Sequence, residues 1–380
     1  MRVALITNFC PFYRVKLFDL LARSLPLTFI FFSDGSEKNW ESLNPVGGEE
    51  LPAIHLRAGG VSTLRMLWRL VRTLWRGGFD VYIQGLSGRL VVAVAYLVAR
   101  WRGASYVLWT GLWDHPQTLF HRATFPCVRY LYRHADALVA YGSHVRDYLV
   151  RLGVAPERIF IAWNTADNER YNRPVSEGEL MALRAELGLQ DERVVLFVGR
   201  LSEEKGVDVL LRALARLADR TEVPPWRALI CGRGPWGEVL RQQCREMKLE
   251  NVRFLDYVPN ERLYQYYALA EVLVVPSVTT RTFKEPWGLI VNEAMNQGCV
   301  VVASDAVGAA RGGLLEDGRN GMVVPEGDAE ALARALYELL CSPERRAQLS
   351  RAARVTIKDW TYERMAQGFI DAGRYVRKGA

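Results

Sequence analysis

Short apolar runs of four to six residues alternate with helix-length amphipathic stretches through nearly the whole chain. In the first half, residues 3–7, 27–32, 81–84, 105–110, 137–141 and 159–163 read as strands. Helical stretches over 13–22, 64–75, 89–99, 120–134 and 143–152 lie between them, with Ser143 as a helix cap. The strand runs lack the polar alternation of a sheet with one wet face. They predict parallel strands covered by helices on both sides. After a polar stretch to Glu177 that contains Pro174, read as a linker and the hinge, the pattern repeats. Strands are expected over 194–198, 226–231, 252–255, 272–276, 300–304 and 321–324, and helices over 207–217, 235–247, 261–268, 289–297, 328–340 and 343–356, with Asp328 as a cap. A chain of 380 residues suits two such domains. The expected fold class is α/β, with domains over 1–168 and 185–358.

The start of the chain reads as a first buried strand, not a signal peptide: Asn8 and Pro11 interrupt any longer apolar segment. The longest apolar helix candidate, residues 90–99, is flanked by Arg89, Arg100 and Arg102, and is too short to span a bilayer. Six scattered cysteines without a CxxC pair, several in apolar runs, are expected as buried free thiols in a reducing compartment, and no zinc site is expected. The net charge of +7 is uneven. Between Arg57 and Tyr148 lie twelve arginines, no lysine and four aspartates, interleaved with Trp68, Trp75 and Trp101. That pattern suits an anionic lipid surface or anionic ligand, or a solvated basic face. No nucleic-acid recognition motif accompanies it, so nucleic acid is not an expected partner.

Four clusters are expected in loops leaving the carboxyl ends of strands, where open α/β sheets hold ligands. In Gly199-Arg200-Leu201-Ser202-Glu203-Glu204-Lys205-Gly206, a guanidinium and an ammonium follow a strand and suit a diphosphate; the alternative is a loop of local ion pairs with Glu203 and Glu204. Gly232-Arg233-Gly234-Pro235 allows close backbone approach to a ligand, but is equally a plain turn. The backbone of Asp256-Tyr257-Val258 follows a third strand and can face a base, or be a surface loop. The segment Glu285-Pro286-Trp287-Gly288-Leu289-Ile290-Val291-Asn292-Glu293 places two carboxylates around a glycine turn and a helix start. Glu285 suits sugar hydroxyls, Glu293 suits ribose hydroxyls, and the N–H groups of Gly288 and Leu289 suit phosphate; the alternative is a helix-terminus charge at Glu285 and a surface residue at Glu293. A nucleotide-sugar fits this set. Glu293 lies near buried surface and needs a partner.

Together these motifs resemble retaining glycosyltransferase family 4, of the GT-B fold. The resemblance rests on Glu285 and Glu293 at the Glu-x7-Glu spacing, on Gly199 to Gly206, on Gly232 to Pro235, and in part on Asn164-Thr165-Ala166-Asp167. It implies two Rossmann-like domains with parallel sheets facing across a cleft, the N-terminal one binding the acceptor and the C-terminal one the nucleotide-sugar. It also implies that the final segment, 359–380, packs back on the N-terminal domain through Tyr362, Met365 and Phe369. The implied reaction moves a hexosyl group from a UDP-, GDP- or dTDP-linked donor to an acceptor hydroxyl with retention, without a metal or other cofactor. Arg200 and Lys205 would hold the diphosphate, Glu293 the ribose and Glu285 the sugar. The N-terminal loop Asn8 to Arg14 lacks the glycines common in the family, and leaves Arg14 as the cation for a phosphate or anionic acceptor. His115 stands near the position of the family's histidine, which implies a catalytic role beside Arg200, Lys205 and Glu285; the alternative is a non-catalytic histidine in a polar loop. A cytoplasmic protein, peripheral on the inner face of the plasma membrane and acting on a lipid-linked or saccharide acceptor, is the expected setting. A phosphorylase, a nucleotide-sugar epimerase, or a non-catalytic membrane- or partner-binding protein of the same fold are the alternatives.

Overall fold

A computed structural model of the chain describes residues 2–33, 51–56 and 62–378. Arg57, which opens the arginine-rich stretch, and the domain ends expected at 1, 379 and 380 lie outside the described residues. The chain divides into two compact units. The first holds residues up to His115, Leu119–Asn164 and residues from Thr361 onward; the second holds Pro116–Thr118 and Thr165–Trp360.

The first unit is built on a parallel sheet of β1 (Val3–Thr7), β2 (Leu27–Phe31), β3 (Ala53–His55), β4 (Val81–Gly85), β5 (Ser105–Thr110), β6 (Ala137–Ala140) and β7 (Ile159–Ile161), in the order β3-β2-β1-β4-β5-β6-β7. Val3 of β1 sits between Leu27 and Val81, and every residue of β1 and β4 is buried, as two covered faces require. One face packs the helices Thr63–Arg76, Arg89–Arg102, Leu119–His134 and Ser143–Arg151 through Leu70, Leu74, Ala95, Tyr132 and Leu149. The other face packs Val15–Ser24 and the last helix, Tyr362–Lys378. Tyr362, Met365 and Phe369 are buried there, and the Tyr362 hydroxyl donates to the Tyr13 carbonyl at 2.6 Å. Burying Met365 and Phe369 stabilises this docking by about 2 kcal/mol each.

The second unit holds β8 (Arg193–Val198), β9 (Trp226–Cys231), β10 (Val252–Leu255), β11 (Val272–Val275), β12 (Val300–Ser304) and β13 (Met322–Val324), in the parallel order β10-β9-β8-β11-β12-β13. This is the doubly wound order, with its reversal between β8 and β11. The Asp328 side chain caps the helix Ala329–Cys341 by accepting from the N–H groups of Glu330 and Ala331.

Several expectations shift. Ser143 is the first helical residue and Gly142 holds the cap position. The helix expected over 13–22 opens with a tight turn, Phe12–Arg14, and Pro235 and Trp236 precede the helix Gly237–Glu246. The polar stretch read as a linker is docked into the second unit. Asn168 donates to the carbonyls of Ile357 and Trp360, and Gln297 donates to those of Tyr171 and Arg173. Backbone carbonyls with buried side-chain donors fix a segment whose composition alone looks solvated. Among the six free thiols, Cys10, Cys231, Cys244 and Cys299 are buried, but Cys127 and Cys341 are exposed on outer helix faces. No helix among the described residues is long and apolar enough to cross a membrane.

Candidate nucleotide-sugar site

All four clusters of the second unit leave the carboxyl ends of strands: 199–206 after β8, 232–235 after β9, 256–258 after β10 and 285–289 after β11. Because β8 and β11 are neighbours, the first and last clusters meet at the point where the strand order reverses. Two glycines allow the loops to close on one another. Gly206 has φ +63°, and a Cβ there would lie 2.0 Å from the Pro276 carbonyl oxygen, so the β8 loop rests directly on the end of β11. Gly232 has φ +144°, and a Cβ would lie 1.8 Å from the Gly199 carbonyl oxygen. Backbone bonds complete the lattice: Gly199 N–H to Cys231 O at 3.0 Å, Leu201 N–H to Arg233 O at 2.9 Å, and Val278 N–H to Glu204 O at 2.9 Å. Gly232→Ala is therefore expected to cost at least about 2 kcal/mol, through backbone strain and displacement of the β8 loop. A fall in melting temperature of at least ~4 °C in thermal denaturation is the expected readout; an unchanged melt would mean that the two loops do not touch as described.

The closed loops bring Lys205 to Glu285. The Lys205 ammonium donates to the Glu285 carboxylate, which is 7% exposed and also accepts from the Ser277 hydroxyl at 3.4 Å. Arg200 pairs with Glu204 at 2.6 Å, and the Ser202 hydroxyl donates to the same carboxylate at 2.7 Å. Burial pushes the Glu204 pKa up, but Ser202, its own backbone N–H and Arg200 outweigh that and hold it below the ordinary carboxylate range. The local pairing weighed for this loop is thus present for Arg200, whereas Lys205 reaches across to the other motif.

Glu293 stands on the helix Leu289–Gln297 among buried neighbours. Its carboxylate accepts from the Tyr267 hydroxyl at 2.7 Å, which is the partner its burial demands. Desolvation pushes its pKa up to about 7, against the opposing effects of Tyr267, Tyr171 and Arg170. Burial also holds the Tyr267 phenol well above its ordinary value, and the neighbouring carboxylate adds to this. Between the two glutamates, Trp287 fixes the turn: its indole N–H donates to the Asn292 Oδ1 at 2.8 Å and its ring packs on Trp360. Gly288 and Leu289 open the helix at its N-terminal end.

Of the remaining candidates, Arg233 is mostly exposed and pairs with Asp256 at 3.3 Å, linking the second and third loops by a surface pair worth at most about 1 kcal/mol. Gly234 packs against Leu201, and the Val258 side chain is buried. Arg14 and His115 belong to the first unit. Arg14 is 4% exposed; its guanidinium donates to Asn164 Oδ1 at 2.6 Å and lies over the rings of Tyr13, Trp109 and Tyr141. His115 Nε2 bonds the His121 carbonyl oxygen at 2.9 Å, and its ring packs on Phe125. Tyr267, Ser277, Trp287 and Asn292 were not singled out from the sequence in these positioning roles. An inward aromatic at helical spacing, such as Tyr267, reads as core until the glutamate beside it is seen. Among the described residues, no group of three or more His, Cys, Asp or Glu side chains is arranged to hold a metal ion.

Residues 182–356 match the family model for glycosyl transferases group 1, and residues 21–164 match that for the glycosyl transferase 4-like domain. The chain is a GT-B-fold relative of the group 1 glycosyltransferases. It is similar to D-inositol 3-phosphate glycosyltransferase of Corynebacterium aurimucosum, 34% identical over 251 residues, covering 63% of this chain and 56% of that protein. It is also similar to alpha-D-kanosaminyltransferase of Streptomyces kanamyceticus, 31% identical over 247 residues, covering 63% of this chain and 61% of the relative. The chain thus spans little more than half the length of the curated relatives it matches. The solved structure of Anabaena Alr3699/HepE in complex with UDP shares the fold with a TM-score of 0.77 at 21% identity, covering 98% of this chain and 99% of that one.

Proposed function

We propose that the protein transfers a hexosyl group from a nucleotide-sugar to an acceptor hydroxyl, with retention of anomeric configuration. The observation that carries this reading is the convergence of Lys205, Glu285 and the start of the Leu289–Gln297 helix where the strand order reverses. In this reading the second unit, taken as 185–358, binds the donor and the first, taken as 1–168 with the terminal helix, binds the acceptor. The diphosphate lies against Arg200, Lys205 and the N–H groups of Gly288 and Leu289, near the backbones of Gly199, Gly232, Gly234 and Val258. Binding frees Arg200 from Glu204 and Lys205 from Glu285. Glu285 then accepts from sugar hydroxyls and Glu293 from the ribose.

As the glycosyl bond breaks, negative charge grows on the bridging oxygen of the diphosphate. Two cations held ready for it lower the barrier because they interact more strongly with the departing group than with the intact donor. The acceptor hydroxyl attacks from the same face and gives its proton to a donor phosphate oxygen. In this reading Arg14 and His115 belong to the acceptor side, Arg14 as the cation for a phosphate or anionic acceptor and His115 as the candidate catalytic histidine, each held by the bonds described above. The relatives named as glycosyltransferases and the HepE complex with UDP support a nucleotide-linked donor. A lipid-linked or saccharide acceptor, at the inner face of the plasma membrane, completes the reading.

A thermal-shift panel of UDP, GDP and dTDP with their sugar derivatives tests it. The true donor is expected to raise the melting temperature most, by mass action, adding about 2.7 kcal/mol at a hundredfold excess over its dissociation constant. No stabilisation by any nucleoside diphosphate would reject the proposal.

A further inference from the structure

The first unit carries a continuous helical face without a single acid. The helices Thr63–Arg76, Arg89–Arg102 and Leu119–His134 contain ten arginines in their sequences and no aspartate, glutamate or lysine. They lie side by side on one face of the sheet. The Arg102 guanidinium donates to the Trp75 carbonyl, joining the first helix to the second. Tyr96 meets Tyr130 edge to face at 6.1 Å, and Arg100 donates to the His134 carbonyl at 2.6 Å, joining the second to the third. Their inner sides are buried in one core.

Their outer sides are unusually apolar for a surface. Of eighteen large hydrophobic side chains exposed among the described residues, ten stand on these three helices. Leu64 is 81% exposed, Trp101 75% and Leu119 85%. Arg72 lies 5.3 Å from the centre of the Trp68 ring, and Arg102 lies 5.9 Å from that of Trp75. Those aromatic and aliphatic groups alternate with guanidinium groups instead of being separated from them. The nearby acids are few: Asp136 is paired with Arg100 and accepts from the Tyr106 N–H, and Asp80 accepts from the Arg2 N–H.

We infer that this three-helix face docks flat on an anionic lipid bilayer, with Leu64, Trp68, Leu97 and Trp101 seated among the headgroups and upper acyl chains and exposed arginines such as Arg65, Arg72 and Arg76 on lipid phosphates. This rests on the peripheral membrane contact proposed above, and gives it a face and a chemistry. Charge complementarity selects the occupant: three helices with ten arginines and no acid of their own, one arginine being paired with Asp136, match a negative surface. Indole rings favour the boundary between headgroup and hydrocarbon, and arginine stems can lie along apolar surface while their heads reach phosphate. Exposed leucines match acyl chains, whereas a nucleic acid offers them nothing to bury against.

Vesicle co-sedimentation of the full chain tests this. The protein is expected to pellet with vesicles of phosphatidylcholine containing about 40% phosphatidylglycerol, and to stay in solution with phosphatidylcholine alone. Binding is expected to fall steeply when salt is raised from about 0.05 to 0.5 M. The double variants Trp68→Ser with Trp101→Ser, and Arg65→Glu with Arg72→Glu, are each expected to bind the anionic vesicles at least ~10-fold more weakly. Melting temperatures and the UDP-induced shift measured on the same variants check that they fold and that the second unit still works. Wild-type binding by both folded variants, or no binding of the parent chain to anionic vesicles, would overturn the assignment. Dimers dispersed by these substitutions, without vesicle binding, would assign the face to a second copy of the chain. The nucleotide panel uses no lipid, so the docking face and the transfer reaction can fail separately.

Discussion

Lys205→Ala is expected to lower turnover at least ~100-fold, equivalent to about 2.7 kcal/mol of lost transition-state stabilisation. The reason lies in how the β8 loop is held. Gly206 presses it against the Pro276 carbonyl, and the Glu204 carbonyl accepts from Val278, so the ammonium has little freedom to withdraw. It waits beside Glu285, ready to exchange that carboxylate for a diphosphate whose charge grows during reaction. The substitution also leaves Glu285 buried with Ser277 as a weak donor. Because Lys205 is partly exposed, that structural cost is discounted to about 1–2 kcal/mol, below that of breaking a fully buried pair. Adding Glu285→Gln to Lys205→Ala removes the buried charge, so melting temperature is expected to recover toward the parent value; the catalytic effect is read from Lys205→Ala alone, since Glu285 belongs to the sugar site. Steady-state kinetics and thermal denaturation of both variants provide the check. Wild-type turnover in Lys205→Ala would remove the lysine from the reaction.

The loops that hold this site were legible because βα repetition imposes them. Where β11 ends and the helix at Leu289 begins, the alternation already requires a loop, 276–288, at a strand's carboxyl end. The strand order, and with it the meeting of the first and last clusters, needed tertiary structure, since local periodicity does not say which strands are neighbours. Nor does composition reveal that Arg200 is paired locally with Glu204 while Lys205 crosses to Glu285. Both cations sit in one short charged loop, and the single turn Glu203–Lys205 within it is what separates their positions. β3 was missed because a strand of three partly exposed residues carries no usable period. Arg14 read as an available cation because its cage of Asn164 and three aromatic rings is assembled from distant segments.

Glu293 is expected to make the protein less stable as pH rises through the weakly acidic range. At low pH its carboxyl is protonated in folded and unfolded chains alike. Near pH 4.5 the unfolded chain loses the proton, while burial makes the folded protein keep it to about 7. The contribution to stability is thus complete below 4.5 and is lost as pH climbs through 7, by about 3 kcal/mol in all. Glu293→Gln keeps a neutral acceptor for Tyr267 and cannot ionise, so its melting temperature relative to the parent is expected to rise across that window by roughly 6–12 °C. Other titrating groups are shared and cancel in the difference. Tyr267→Phe removes a hydroxyl that favours the carboxylate, and should move the midpoint of the parent's loss to higher pH. Ribose hydroxyls donating to Glu293 would act in the opposite direction and expel a proton on donor binding near pH 7. Calorimetric titrations in buffers of different ionisation enthalpy measure that proton directly. A melting difference independent of pH would mean that Glu293 is ionised in the folded protein throughout, and that Tyr267 and Arg170 outweigh its burial.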